Sequence, residues 1–314
     1  MNIKFFLNFF TIIAIILLFS NKQYAQDAKY PELTKPIEII HGDKGKWDEN
    51  NTHTLTVLEV NKGGYKYWGY YGLNHYGNFA PLRNAGLIRS NDLVHWVKYA
   101  NNPIIKGNCR WPTAVLIHNI IYLFFAEYDT NNNSRIVMES SKDGIHFGNK
   151  IVVVPEEDGK QNQNPFIYYD KKDGNFYLVY YTGIERGTKP GVNNWNIALI
   201  KSKDIYKLKN AKPKILLSAK TIIASPSLTY FNNRYYLLIE AKTDNKWDNK
   251  WVTLAYESNK INGPYTELDN NPVLGDNDAC AFQYVFNNQL YIFYSHSVNE
   301  EETNWVLKMV KAIK

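Results

Sequence analysis

Hydrophobic and polar residues alternate in short runs along most of this chain, and Asn, Gly and Asp separate the runs. Such runs, rich in β-branched and aromatic residues and bounded by turn residues, predict β-strands. In the clearest unit, residues 110–125, a polar edge and a strand are followed by an Asn turn and an aromatic strand. The pattern therefore predicts an all-β protein.

This unit recurs five times. Its reference positions are His53, Pro112, Pro165, Pro226 and Ala279, which are 53 to 61 residues apart. After each of the first four units come an apolar third strand and an outer strand, with no helical pattern between them. A repeat of this length made only of strands is typical of a β-propeller. We predict a five-bladed β-propeller with four strands in each blade.

The last unit ends near residue 310 and has no room for a fourth strand. The short β-branched run Ile37-Glu38-Ile39-Ile40 near the start of the chain can supply it. We predict that residues 36–41 complete the last blade and close the ring, because closure removes exposed sheet edges.

The amino terminus resembles a secretory signal peptide. Lys4 precedes an apolar run over residues 9–19, and the small residue Ala25 follows a polar stretch. We expect residues 1–25 to be removed, which leaves one domain over 26–314 in the periplasm or outside the cell. The alternative is an uncleaved membrane anchor, although the run is short for a membrane span.

Charge and cysteine content exclude several classes of partner. The net charge of +6 is modest, and positive and negative residues alternate along the chain without a basic stripe, so nucleic acid is not an expected partner. Cys109 and Cys280 lack the spacing of a metal site and are either paired or free. No cofactor is expected to be required, although Asp and Asn oxygens near the channel would suit a structural calcium ion.

Propeller geometry selects candidate site residues, because the start of each inner strand and the end of each second strand lie at the same mouth of the channel. Glycosidic hydrolysis needs two carboxyl groups across the scissile bond. The candidate carboxylates at the mouth include Asp48, Glu240, Glu127 and Asp278, and we predict Glu240, which interrupts an aliphatic strand, as the acid. The predicted substrate-binding residues are Trp47, His53, Tyr71, Trp111, Asn164, Gln283 and His296.

The repeat length, the Trp-Pro, Asn-Pro and Ser-Pro strand starts, the aromatic second strands and the segment 90–96 (SNDLVHW) resemble the five-bladed propeller glycoside hydrolases, most nearly family 43. The resemblance implies an Asp base in blade one, a second Asp in blade three, a Glu acid in blade four and often a His near the channel. Here blade one offers Asp48 or Glu49 a few residues upstream, so the resemblance makes Asp48 the predicted base, and His296 matches the His loosely. Asn164 and Ser225 occupy the other two positions.

Three functions follow as hypotheses. The first is an exported, exo-acting glycoside hydrolase that removes a terminal sugar, such as arabinofuranose or xylose, from a plant or algal polysaccharide. The second is a propeller that binds carbohydrate without cleaving it, which the neutral residues Asn164 and Ser225 favour. The third is a lyase or another sugar-active enzyme that uses His53 or His296 with a Tyr.

Overall fold

A computed structural model describes residues 28–73, 83–129, 133–157, 159–184, 195–242 and 250–313. Within these ranges twenty strands form five antiparallel sheets of four strands each. The predicted signal segment, residues 1–25, lies outside the described residues. In the part of the chain that is described, no helix is long and apolar enough to cross a membrane.

The five sheets are the blades of one propeller, as predicted. The first strand, β1 (Ile37–Ile40), belongs to blade 5. Blade 1 contains β2 (His53–Lys62), β3 (Tyr65–Gly72), β4 (Gly86–Ser90) and β5 (Trp96–Lys98). Blade 2 contains β6 (Arg110–Ile117), β7 (Ile120–Tyr128), β8 (Ser134–Ser141) and β9 (Gly148–Val154).

The remaining blades follow the same order from the inner to the outer strand. Blade 3 contains β10 (Lys160–Asp170), β11 (Asn175–Ile184), β12 (Trp195–Ser202), a 3-10 helix (Ile205–Asn210) and β13 (Lys214–Ala219). Blade 4 contains β14 (Ile223–Phe231), β15 (Arg234–Lys242), β16 (Trp251–Ser258) and β17 (Thr266–Glu267). Blade 5 contains β18 (Asp278–Phe286), β19 (Gln289–Ser297) and β20 (Trp305–Lys311), followed by β1.

The amino-terminal strand closes the ring. In β1, Ile37 pairs with Met309 and Glu38 with Lys308 of β20, which confirms the predicted closure. The segment before β1 extends the contact, because Leu33 forms a bridge with Ala312 and the Thr34 N–H donates to the Lys311 carbonyl over 2.9 Å. The first and last blades are therefore joined by backbone hydrogen bonds between the two ends of the chain.

Hydroxyl groups satisfy part of the edge that each inner strand presents to the channel. Thr56 Oγ1 accepts from the Ala114 N–H at 3.3 Å, and Ser227 Oγ accepts from the Gln283 N–H at 2.8 Å. In each case the hydroxyl belongs to one blade and the N–H to the next inner strand. Because buried backbone N–H groups need partners, these bonds fix neighbouring inner strands relative to one another around the axis.

The Ser-x-Asp turns that precede the outer strands serve a local purpose. Ser90 Oγ accepts from the Leu93 N–H at 3.0 Å, and Asp92 Oδ1 accepts from the N–H groups of Val94 and His95 at 2.9 and 2.8 Å. Short polar side chains commonly satisfy turn backbone in this way. The turn lies at the end of the blade away from the channel mouth and stabilises the hairpin.

Candidate active site

A ring of five residues, one from each inner strand, surrounds the channel axis. All five lie at a break in the pairing register of their strand and have a left-handed backbone. They are Thr54 (φ 50°), Trp111 (φ 50°), Asn164 (φ 49°), Ser225 (φ 44°) and Cys280 (φ 49°). Residues other than glycine rarely adopt this conformation, and such strain concentrates at functional sites. We name these residues the axial ring.

The axial ring lines a small recess at the channel mouth, together with Pro165, Pro226 and Phe282. The recess holds about 160 Å³ of space, open solvent included. Phe282 packs against Phe166 of blade 3 with ring centroids 5.5 Å apart, and both side chains are buried. A packed aromatic pair therefore forms part of the recess wall.

A chain of hydrogen bonds connects the ring across three blades. Asn164 Nδ2 donates to Ser225 Oγ over 2.7 Å, and Ser225 Oγ lies 3.1 Å from Cys280 Sγ. Burial raises the pKa of the Cys280 thiol well above its usual value, so the sulfur stays protonated at neutral pH. The ring itself is consequently uncharged.

Glu240, the predicted acid, is the carboxylate that touches the axial ring. Its Oε2 accepts from the Cys280 N–H at 2.9 Å and lies 3.4 Å from the Cys280 Sγ. The side chain is buried, as expected from its place in the aliphatic strand β15. A carboxylate bound by a backbone N–H keeps a fixed orientation, and here that orientation is toward the axis.

His53 borders the ring on the side of blade 1. Its Nδ1 is 2.9 Å from Thr54 Oγ1, and its ring meets that of Trp305 edge to face at 4.9 Å. Burial lowers the pKa of His53 from 6.5 to about 3, so the imidazole is neutral at ordinary pH. A neutral imidazole can bind a hydroxyl group but carries no charge to the site.

Asp278 and His296 form a second polar group at the mouth end of blade 5. Asp278 Oδ1 is 2.8 Å from His296 Nδ1, and the two residues face each other across β18 and β19. Burial raises the pKa of Asp278, and the hydrogen bond from His296 opposes this shift. Asp278 lies two residues before Cys280, so their Cα atoms are about 7 Å apart. The structure thus brings Asp278 near the ring residue that binds Glu240.

Asp48, the predicted base, lies in a separate cluster. The Tyr71 hydroxyl donates to its Oδ2 over 2.8 Å, and Lys98 Nζ lies 2.7 Å from the same oxygen. Trp47 packs against Tyr71 with ring centroids 5.4 Å apart, and both rings cover Gly86 of β4. Asp48 is thus held by Lys98 on the outermost strand of blade 1, and the contacts of this cluster join it to β3, β4 and β5 rather than to the axial ring.

Two further predicted residues have contacts that satisfy them within the protein. Glu127 pairs with Arg135 at 3.0 Å and with Lys150, which lie on β8 and β9 of the same blade. Gln283 accepts from the Tyr30 hydroxyl at 2.8 Å and donates to the Ser227 carbonyl at 2.8 Å. Neither set of contacts leads toward the recess.

The structure therefore places Trp111 and Asn164 in the lining of one recess. His53 and Glu240 lie behind it, in contact with the ring residues Thr54 and Cys280, and Asp278 and His296 form a neighbouring pair. Sequence reasoning missed Thr54 and Cys280 as ring members because the reference position shifts by two residues in blades 1 and 5. Leu55 and Ala281, rather than His53 and Ala279, correspond to the prolines that follow Trp111, Asn164 and Ser225. Without a proline after the ring residue, the sequence carries little signal of this offset.

Cys109 and Cys280 are free and buried, in blades 2 and 5. In the ranges that the structure describes, no group of three or more His, Cys, Asp and Glu side chains is arranged to hold a metal ion. A structural calcium ion, for which the sequence offers suitable oxygens, stays a hypothesis.

Comparison with solved structures identifies relatives of this architecture. A thermostable family-43 glycoside hydrolase is similar over 82% of this chain and 88% of its own, with a TM-score of 0.66 and 15% sequence identity. The chain has the fold of the family-43 glycoside hydrolases.

Two more similar structures share this fold. An exo-1,5-α-L-arabinanase from a bovine ruminal metagenomic library matches over 82% of this chain and 92% of its own (TM-score 0.58, 18% identity). An endo-arabinase from Bacteroides thetaiotaomicron matches over 84% and 94% (TM-score 0.62, 16% identity). No family model matches the sequence, and no curated protein matches it. The resemblance stated from the sequence is confirmed for the fold.

Proposed function

We propose that this protein is a glycoside hydrolase that removes a terminal sugar from a polysaccharide at the axial recess. The observation that carries the proposal is Glu240, a buried carboxylate oriented toward the axis by the Cys280 N–H. The family-43 fold supports the reaction class, and the two arabinanases among the similar structures make a pentose such as arabinofuranose or xylose the first candidate.

The chemistry needs a second carboxyl group, and we propose Asp278 for that role. Its raised pKa suits a group that must be protonated before it donates to the leaving oxygen. Glu240 would then act from the axis as base or nucleophile. In this proposal Glu240 is no longer the acid, as the sequence predicted, but the base or nucleophile. Asp48 is no longer the base, because its carboxylate pairs with Lys98 and accepts from the Tyr71 hydroxyl.

The uncharged ring would bind the sugar. Trp111 offers an aromatic face, and Asn164 and Thr54 offer an amide and a hydroxyl to sugar hydroxyl groups. An exo-1,5-α-L-arabinanase and an endo-arabinase are both among the similar structures, so the removal of a terminal sugar is tested by the products released.

The proposed export of the protein indicates where it would meet its substrate. We propose that residues 1–25 direct export and that the substrate is a plant or algal polysaccharide met outside the cytoplasm. Peptide sequencing of the amino terminus after expression in the source cell tests export, because a cleaved chain would begin near residue 26.

A substrate panel tests the hydrolase proposal. The wild-type protein is incubated with aryl α-L-arabinofuranosides, aryl β-D-xylosides, arabino- and xylo-oligosaccharides and the parent polymers, beside Glu240→Gln and Asp278→Asn. Asp276→Asn is the matched control, because Asp276 is exposed and lies two residues before Asp278. Release of monosaccharide by wild type and by the control, but not by the other two variants, is the expected result.

A carbohydrate-binding propeller is the second candidate. It is favoured by the direct hydrogen bond between Asn164 and Ser225, the two positions where the family resemblance implies carboxylates. Calorimetric titration with the same oligosaccharides separates the candidates. If the wild-type protein binds an oligosaccharide and releases no sugar, the carbohydrate-binding function would be supported and the hydrolase proposal would be overturned.

A further inference from the structure

The net charge of the protein comes from one segment of blade 3. Residues 201–220 contain seven lysines and a single acidic residue, Asp204, which gives the segment a net charge of +6. The whole chain has 36 basic and 30 acidic residues, so the rest contains 29 of each and is balanced. The expectation that positive and negative residues alternate along the chain is wrong for this segment.

The fold gathers most of these lysines at one corner. They lie at the end of β12, in the 3-10 helix and at the start of β13, on the end of blade 3 opposite the channel mouth. All are exposed. We name them the blade-3 lysine patch, which consists of Lys201, Lys203, Lys207, Lys209, Lys212 and Lys214.

The core fixes the direction of the patch. Ile205 and Leu208 are buried beneath the 3-10 helix, so the lysines between and after them face solvent. Asp204 caps the helix by accepting from the Tyr206 N–H at 2.9 Å. Lys207 and Lys209 are therefore presented by a short helix anchored to the blade, which lowers the entropy lost when a ligand binds.

Within the described ranges, few partners neutralise the patch. Lys207 lies 4.0 Å from Asp204, and Lys214 donates to the Asn262 carbonyl over 2.7 Å. No described carboxylate is within ion-pair distance of the other four lysines. Like charges held together at this density attract polyanions.

A cleft between blades 2 and 3 adjoins the patch. Lys209, Pro213 and Ile215 line one wall of this space of about 1,230 Å³, open solvent included. Glu156 and Glu157 also line this space, and they pair with Arg135 and Lys160. These two carboxylates therefore have cation partners outside the patch.

We propose that the blade-3 lysine patch binds an acidic polysaccharide, a sugar chain that carries carboxylate or sulfate groups. Lysine ammonium groups act as point charges toward such anions. Tyr206, 45% exposed among the lysines, presents an aromatic face that suits a sugar ring. The site lies at the opposite end of the propeller from the axial recess. The proposal goes beyond hydrolysis and rests on the proposed function only in choosing sugar chains over other polyanions.

Binding to immobilised sodium polygalacturonate tests this proposal. The full chain is compared with K203Q/K207Q/K209Q/K212Q and with a matched control, K29Q/K35Q/K44Q/K106Q, which removes four exposed lysines elsewhere. We expect binding that weakens as NaCl rises and a roughly tenfold loss for the patch variant, because exposed charge pairs each contribute about a factor of two. The control variant is expected to bind like wild type.

Equal losses in the two variants, or equal binding of neutral arabinan, would overturn the proposal. Tighter binding of single-stranded DNA or of phosphatidylglycerol vesicles at the same salt would assign the patch to another polyanion and also overturn it. The readout requires no turnover, so failure of hydrolysis leaves it interpretable. Where wild type cleaves a neutral aryl glycoside, both variants should cleave it equally.

Discussion

The carboxylates on the two sides of the channel mouth have different kinds of partner. In blades 1 and 2, Asp48 and Glu127 are held by cations, Lys98 in one case and Arg135 with Lys150 in the other. In blades 4 and 5, the partners named for Glu240 and Asp278 are the Cys280 N–H and His296. In blades 1 and 2 each carboxylate is one member of an ion pair. Replacing the carboxylate would leave its cation without a partner, so these pairs contribute to stability. Neither of the two partners named for blades 4 and 5 is a lysine or an arginine.

The largest effect on activity is expected for the substitution of Glu240, the proposed base or nucleophile. Glu240→Gln should reduce kcat about a thousandfold, the usual contribution of a positioned acid, base or nucleophile. The amide oxygen can still accept from the Cys280 N–H, so the melting temperature should change little. Steady-state kinetics and thermal unfolding of the same preparation check both statements, and retained kcat would remove Glu240 from the mechanism.

Asp48→Asn should act on stability instead. It leaves the Lys98 ammonium, 19% exposed, beside a neutral amide, and we expect a loss of about 3 kcal/mol in unfolding free energy. Asp43→Asn is the matched control, because Asp43 contacts the same ammonium at 3.0 Å but is 53% exposed. Urea unfolding measures both, and a large loss of kcat in folded Asp48→Asn would restore Asp48 as a catalytic candidate.

The neutral His53 beside the ring predicts a pH effect. Between pH 6.5 and about 3 the unfolded chain binds a proton at His53 that the folded protein excludes. The unfolding free energy should therefore fall as the pH falls through this window, by about 1.4 kcal/mol per pH unit from this residue. Urea unfolding across that range should show a steeper pH dependence for wild type than for His53→Gln. Parallel curves would contradict the buried, neutral imidazole.

The smallest effect is expected for Glu127→Gln. Arg135 and Lys150 are 34% and 46% exposed, so water can solvate both cations once the carboxylate is gone. We expect a loss of about 1 kcal/mol in unfolding free energy and unchanged kcat. A loss of activity comparable to that of Glu240→Gln would show that the two halves of the mouth do not differ as described.

Much of the fold could be predicted because each blade repeats one local pattern. The aromatic second strands, the Asn turns and the prolines at 112, 165 and 226 mark the blades, and the β-branched run at 37–40 marks the closing strand. The site was harder to predict, because every carboxylate near the start of an inner strand or the end of a second strand is a candidate. The sequence does not show that Lys98 pairs with Asp48, whereas Glu240 accepts from the N–H of Cys280.

The all-β class, the number of blades and the segment that closes the ring were all predictable from the sequence, because strand patterns and turn residues act over short distances along the chain. Two features of the site depend on the tertiary structure: Thr54, Asn164, Ser225 and Cys280 share one recess, and Glu240 contacts Cys280. The reason is geometric: left-handed residues at register breaks place these side chains at the axis. The identity of a side chain's neighbours across blades depends on packing that no local pattern records.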